Sequence, residues 1–166
     1  MADHMKKPQI ADSVYFADGC KLIGDIQIGE QSSVWYNSVI RGDLSTISIG
    51  KCTNVQDLVA IHVNKNQPVT IDDYVTVGHS AILHSCTIGK GSQIGMGAIV
   101  LDGAVISEET SVAAGALVTG NKTYPPRVML MGVPARVIRE LTDKEISLMR
   151  EAAERYVAKA QEAMKS

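Results

Sequence analysis

Aromatic residues are scarce in this chain: one Phe, one Trp and five Tyr among 166 residues, or 4%. Rings of that size dominate the broad cores of globular domains, so their scarcity points to a narrow interior filled by Ile and Val. Basic charge is not in excess either; the net charge is −2, which leaves no electrostatic footprint for nucleic acid. No apolar run approaches the roughly 20 residues of a membrane span. The opening, Met1 to Pro8, is polar and charged and lacks the apolar stretch of an export signal, so a cytoplasmic location is expected. The three cysteines, Cys20, Cys52 and Cys86, are an odd number and form no C-x-x-C pair. They read as reduced thiols in core or turn positions, and a Cys-rich zinc site is excluded. The length suits a single domain over residues 1–166.

What the chain does have is a six-residue repeat. Ile88, Ile94, Val100, Ile106, Val112 and Val118 fall at unbroken six-residue spacing, and four positions after the first five come Ser92, Ala98, Ala104, Thr110 and Ala116. Period six suits neither an amphipathic helix nor an alternating strand. It marks short strands joined by turns, one flat side of a coil per hexapeptide, and a β-sandwich with six coincidental matches is the weaker reading. Each aliphatic residue points inward and stacks on its equivalents, and each small residue fits where the coil turns. A Gly directly after the aliphatic residue, as in Ile88-Gly89 and Ile94-Gly95, is expected to tolerate angles that others cannot. The frame continues backwards, with slips, through Ile71, Val77 and Leu83, through Ile49, Val55 and Ile61, and through Ile28, Val34 and Ile40. The slips at 42–48, 64–69 and 85–87 should leave as loops. The expected class is therefore mainly β: a parallel β-helix of triangular section over about residues 14–118.

Residues 119–141 read as a connection broken by Tyr124-Pro125-Pro126 and Gly132-Val133-Pro134. Thr142-Asp143-Lys144-Glu145 is a capping box. Behind it Ile146, Met149, Ala153, Tyr156, Ala160 and Ala163 recur at helical spacing. A C-terminal helix within 142–166, from about Asp143 to Met164, should lay this stripe along one side of the solenoid.

The repeat gives each histidine an address. His62 follows inward Ile61 by one and His84 follows inward Leu83 by one. Ile61 and Leu83 are 22 residues apart. A coil takes 18, and the loop Asn64-Lys65-Asn66-Gln67-Pro68 absorbs the other four. The two histidines should therefore stack on adjacent coils, about 4.7–4.9 Å apart, which suits two imidazoles on one zinc. His79 follows inward Val77 by two and belongs to the previous side, so within one chain it points elsewhere. Three subunits in a closed ring bring the His79 side of one to the His62–His84 corner of the next. Taken singly, each His reads as a surface or capping residue; three at matched addresses read as a metal site. Three imidazoles leave one position open on a tetrahedral ion, the arrangement that lowers the pKa of bound water to about 7. Zinc, iron(II) and cobalt(II) all accept such ligands. Arg41 lies in the column of His62, and Asn54, Gln56 and Asp57 precede it on the coil. An amide, from Gln56 or Asn54, and the Asp57 carboxylate could orient bound water and substrate near the metal. Arg41 and Asp43 could pair across a subunit boundary or simply form a structural ion pair.

The order Arg41-Gly42-Asp43, Asn54-Val55-Gln56-Asp57, His62, Gly78-His79 and His84, with the closing Gly132-Val133-Pro134-Ala135-Arg136, resembles the gamma-class carbonic anhydrases over nearly the whole chain. The resemblance implies a left-handed β-helix, a homotrimer and a zinc site between subunits. The reaction it implies is reversible hydration of carbon dioxide to bicarbonate by a metal-bound hydroxide. By the same resemblance His62 and His84 come from one subunit and His79 from its neighbour. Gln56 steadies the hydroxide, and Arg41, Asp43 and Asp57 form ion pairs that hold the trimer. One departure matters. The proton-carrying glutamates of the family's archetypal member are missing, as they often are in its short members: Leu44 follows the Arg-Gly-Asp, and the 64–68 loop has no carboxylate. A relay lost from a reaction that expels a proton each cycle slows turnover. Two other readings share the fold: a hexapeptide acyltransferase or acyl-CoA-processing protein, and a noncatalytic metal-binding assembly protein.

Overall fold

The computed structural model describes residues 6–165; His4 lies outside them. Strands of 2 to 11 residues wind into a left-handed parallel β-helix of about 7 turns, followed by a single C-terminal helix. The inward aliphatic residues stack in three columns, one per face. On the first face Ile40, Ile61, Leu83, Val100 and Val118 pair coil to coil. On the second Ile28, Ile49, Ile71, Ile88, Ile106 and Tyr124 do so. On the third the column is Val34, Val55, Val77, Ile94, Val112 and Leu130. All are buried. Coils a strand spacing apart bring these side chains into contact, and each contributes roughly 1.5–3 kcal/mol on leaving water. The small residues Ser92, Ala98, Ala104, Thr110 and Ala116 are buried at the corners.

Two expectations need correcting. The residue with the left-handed backbone is not the one after the aliphatic residue but the third after it: Gln31, Cys52, Tyr74, Gly91, Glu109 and Arg127 form one such column, with φ from 52° to 68°. Gly89 and Gly95 serve a different need. A Cβ on Gly89 would lie 2.5 Å from the backbone nitrogen of Glu108, and one on Gly95 would press just as hard on that of Ala114. The next coil is simply too close for a side chain. The coiling also runs past Val118. Thr123–Tyr124 pairs in parallel with Val105–Ile106, and Val128–Gly132 with Ser111–Val112, before Ala135–Glu140 turns back antiparallel. Pro125 and Pro126 do not end the coil. Tyr124 is the last residue of its column, so no further coil on that face needs their missing N–H groups.

The helix spans Asp143–Ala163 behind the capping box. The Glu145 N–H donates to Thr142 Oγ1 at 3.3 Å, and the Thr142 N–H to Glu145 Oε2 at 2.9 Å. Arg139 grips the same carboxylate at 2.7 and 3.0 Å. That pairing first, then Thr142, holds the Glu145 carboxyl down at about 2. Met149, Ala153 and Ala160 are buried, with the helix lying on the third face. Tyr156 meets the Trp35 ring edge-on at 5.5 Å, and the Arg150 guanidinium sits 3.3 Å above the Tyr74 ring. The three cysteines are free thiols; burial pushes Cys86 up to about 12. Among the described residues no helix is long and apolar enough to cross a membrane.

Leu83→Ala should cost about 2–5 kcal/mol, because the column above and below cannot collapse into the gap. Thr142→Ala should cost about 1 kcal/mol, a lost cap. Chemical denaturation of the two variants checks the ranking; equal losses would mean that the interior columns are not what holds the coils together.

Candidate metal centre

The backbone ladder sets one column of side chains on the first face: Arg41 pairs with His62, and His62 with His84. The two imidazoles lie with ring centroids 5.1 Å apart and planes inclined by 55°. His62 Nδ1 and His84 Nε2 face one another at 3.0 Å. Two nitrogens bound to one tetrahedral zinc at about 2.0–2.1 Å each would lie roughly 3.3 Å apart, so this pair needs little movement to share an ion.

Each far nitrogen is engaged by a carboxylate. His62 Nε2 meets Asp43 Oδ1 at 3.0 Å, and His84 Nδ1 meets Asp102 Oδ1 in a close contact. Arg41 Nη1 pairs with the other oxygen of Asp43. Burial pushes the Asp43 carboxyl up, but hydrogen bonds from His62 and Arg41 outweigh it and hold the group below its ordinary range. The second Asp102 oxygen accepts from Asn64 Nδ2 at 2.7 Å.

The other expected site residues gather elsewhere. Asn54 and Gln56 are buried on the third face, where Gln56 Nε2 donates to Asn54 Oδ1 at 3.1 Å and Asn54 Nδ2 to Thr76 Oγ1 at 2.9 Å. Asp57 accepts from the Tyr36 N–H at 3.1 Å and pairs with His79 Nδ1 at 2.9 Å. His79 and Gln56 line one groove of about 320 Å3 together with Gly78 and Met96. Within one chain the three histidines do not converge: among the described residues no group of three His, Cys, Asp or Glu side chains could hold an ion. The chain thus carries two separate clusters, His62–His84 with Arg41, Asp43 and Asp102, and His79 with Gln56 and Asp57. Their chemistry fits a divalent ion that takes neutral imidazole: three ring nitrogens in all, with carboxylates behind them to fix ring orientation.

Two participants escaped the sequence reading. Asp102 stands two residues past inward Val100, the address that His79 holds after Val77, and that parallel was its available signal. Asp25 shares a cleft of about 220 Å3 with Leu44, Asp43 and Lys6, so an acid does stand near Leu44 after all. Lys6 at 2.9 Å and then Thr46 at 2.7 Å bind it and hold its carboxyl below the usual range, which makes it a poor carrier of protons near neutral pH.

No family model matches this chain. It is 43% identical over 162 residues to the mitochondrial gamma carbonic anhydrase 2 of Arabidopsis thaliana, an alignment covering 94% of this chain and 58% of that protein. The chain therefore spans a little over half the length of that relative. It is 46% identical over 156 residues to a carbonic anhydrase of Geobacillus kaustophilus, covering 94% of this chain and 86% of the other. Among solved structures, a Bacillus cereus protein provisionally assigned as an acetyltransferase matches with a TM-score of 0.93 at 48% identity, covering 95% of this chain and 92% of that one. Likeness at this level, carried across most of both chains, makes this chain a member of the gamma carbonic anhydrase family of hexapeptide-repeat proteins.

Proposed function

We propose that the protein is a metal-dependent carbonic anhydrase that hydrates carbon dioxide reversibly to bicarbonate and a proton, working as a homotrimer with a zinc site at each subunit boundary. The observation that carries this reading is the division of the ligand set into two half-sets on one chain. Neither is a site alone, and a second copy presenting His79 to the His62–His84 pair makes three. The first face supports such a contact. Its outward residues between the buried column are Val39, Ala60, Ile82, Ile99 and Leu117, of which Val39 and Ile82 remain about 40% exposed. An apolar stripe of that kind marks a surface for a partner, and a ring of like contacts closes it. Iron(II) or cobalt(II) could stand in for zinc at three imidazoles. Three free thiols suit a reduced, cytoplasmic setting.

Within this reading the roles follow from the geometry. A divalent ion held by three imidazoles would make a hydroxide-strength nucleophile available near neutral pH. Gln56, positioned by Asn54, supplies an amide beside His79 to orient the attacking water and the bicarbonate oxygens. Arg41, tied to Asp43, sits at the edge of the His62 column, where a neighbouring carboxylate such as Asp57 could join it across the boundary. Leu44 is half exposed where the family's archetypal member carries an acid, and Asp25 beside it is already ion-paired, so release of the proton is the slow step. The Bacillus cereus relative's provisional assignment keeps an acyltransferase as second reading. A noncatalytic assembly protein is the third. Metal analysis with stopped-flow carbon dioxide hydration on the reconstituted protein separates all three: no bound metal favours the acyltransferase, and bound metal without hydration favours the assembly protein.

His62→Ala, His79→Ala and His84→Ala should each lose most bound metal, since two fixed donors are too few. Elemental analysis showing full retention in the His79 variant would remove the shared site.

Arg41→Ala should weaken assembly more than metal binding in the trimer that remains. In an isolated chain its pair with Asp43 is exposed and worth about 0–1 kcal/mol, whereas breaking one buried at a subunit boundary costs about 3–5 kcal/mol. Light scattering on dilution measures this; an undisturbed trimer refutes the role.

Hydration should be slow and limited by proton release. Added imidazole buffer should raise kcat while barely changing kcat/KM, because it acts after bicarbonate has formed, and Leu44→Glu should give a smaller gain of the same kind. Fast turnover indifferent to buffer would reveal another proton path.

A further inference from the structure

We propose that Asp102 is the positioning residue for His84, locking the imidazole with its proton on Nδ1 so that Nε2 is the nitrogen presented to the ion. This rests on the metal-centre reading above and adds to it a residue outside the ligand set. The two Asp102 oxygens are held by different parts of the fold. Oδ1 faces His84 Nδ1, and Oδ2 accepts from Asn64 Nδ2 at 2.7 Å. Asn64 is itself fixed: its N–H donates to Ser85 Oγ at 2.7 Å, and that hydroxyl donates to the Gln67 carbonyl at 3.1 Å. The Gly103 N–H, next to Asp102, donates to the Ser85 carbonyl at 2.7 Å. The carboxylate is therefore anchored by the 64–67 loop on one side and by the neighbouring coil on the other.

The chemistry follows from the inventory of the ring. A carboxylate accepts and cannot donate, so the nitrogen facing it must carry the proton. In a neutral imidazole the lone pair then falls on the other nitrogen, here Nε2, which already faces His62 at 3.0 Å. Without Asp102, His84 would be free to turn about its χ2 and to populate both tautomers. Only one arrangement binds the ion, and the rest dilute it. The loop that holds Asn64 thereby becomes a brace that reaches the metal ligand through one intervening side chain.

The test uses the intact protein, with zinc affinity measured by competition against a chromophoric chelator and the His84 tautomer read from 15N shifts in the metal-free protein. Wild type should show the Nδ1-protonated form. Asp102→Ala should bind zinc about 10–100-fold more weakly, with the tautomer signature mixed and metal-free melting as in wild type. Asp102→Asn, whose side-chain oxygen can still accept the Nδ1 proton, should keep more of the affinity, and Asn64→Ala should lose a smaller part. Wild-type zinc affinity and tautomer in Asp102→Ala overturn the proposal. So does a loss shared equally by the Ala and Asn variants and accompanied by lowered metal-free melting, which makes Asp102 merely structural. If His84→Ala itself binds zinc as tightly as wild type, the metal centre falls and this proposal with it, a result distinct from failure at Asp102 alone.

Discussion

Everything in this protein depends on the parallel backbone ladder that sets each coil in register on the one below. Neighbouring strands are held at the spacing of a hydrogen bond, so a side chain's position in its hexapeptide decides both which way it points and what it stacks on. Ile61 lies between Ile40 and Leu83 because those residues pair. His62 lies between Arg41 and His84 for the same reason, one residue further on. A slip of one residue would turn both imidazoles into the hydrophobic interior, where neither could be satisfied. The interior columns therefore do more than fill space: their register is what sets the facing nitrogens 3.0 Å apart.

That dependence explains which parts were legible beforehand. The aliphatic period alone was enough to place His62 over Arg41 and under His84, because the four surplus residues of the 64–68 loop could be counted out of the frame. The coil beyond Val118 was hidden. Its inward residues are Tyr124 and Leu130, and the prolines beside them read as breakers unless one knows that the column ends there. The duty of Gly89 and Gly95 was misread because close approach by the next coil is a fact of three dimensions, whereas turn angles are a familiar property of the residue. Asp102 and Asn64 are 38 residues apart. Their hydrogen bond depends on where an irregular loop ends up, and no period reports that.

The three faces divide the work. The third is covered by the C-terminal helix, with Met149, Ala153 and Ala160 buried. The second turns outward a polar series, Gln27, Ser48, Thr70, Thr87 and Thr123, relieved only by Val105. The first turns outward Val39, Ala60, Ile82, Ile99 and Leu117, and among them Val39 and Ile82 stay about 40% exposed. The polar face can stand in water and the helix protects its own, which leaves the first face as the one whose exposure is costly. It is also the face that carries the His62–His84 pair. An exposed apolar stripe and the stacked His62–His84 pair thus coincide on one surface, as the proposed contact between copies requires.

The carboxylates behind the histidines carry the argument one step further. Asp43, Asp57 and Asp102 each engage one of the three imidazoles, so every ring is already held by a carboxylate in the single chain. Holding a ring in place while the coils fold leaves less ordering to be done at binding, and affinity rises by that difference. The arrangement has an electrostatic side as well. Asp43 and Asp102 stand behind the two stacked rings, and Arg41 on Asp43 and Asn64 on Asp102 supply donors that keep both satisfied; in the proposed trimer Asp57 would join them. A divalent cation in that proposed arrangement would relieve the repulsion among them. In the proposed trimer the same aspartates that aim the imidazoles would therefore make the centre more favourable to a cation than to any neutral occupant, and would do so from outside the set of atoms that would touch it.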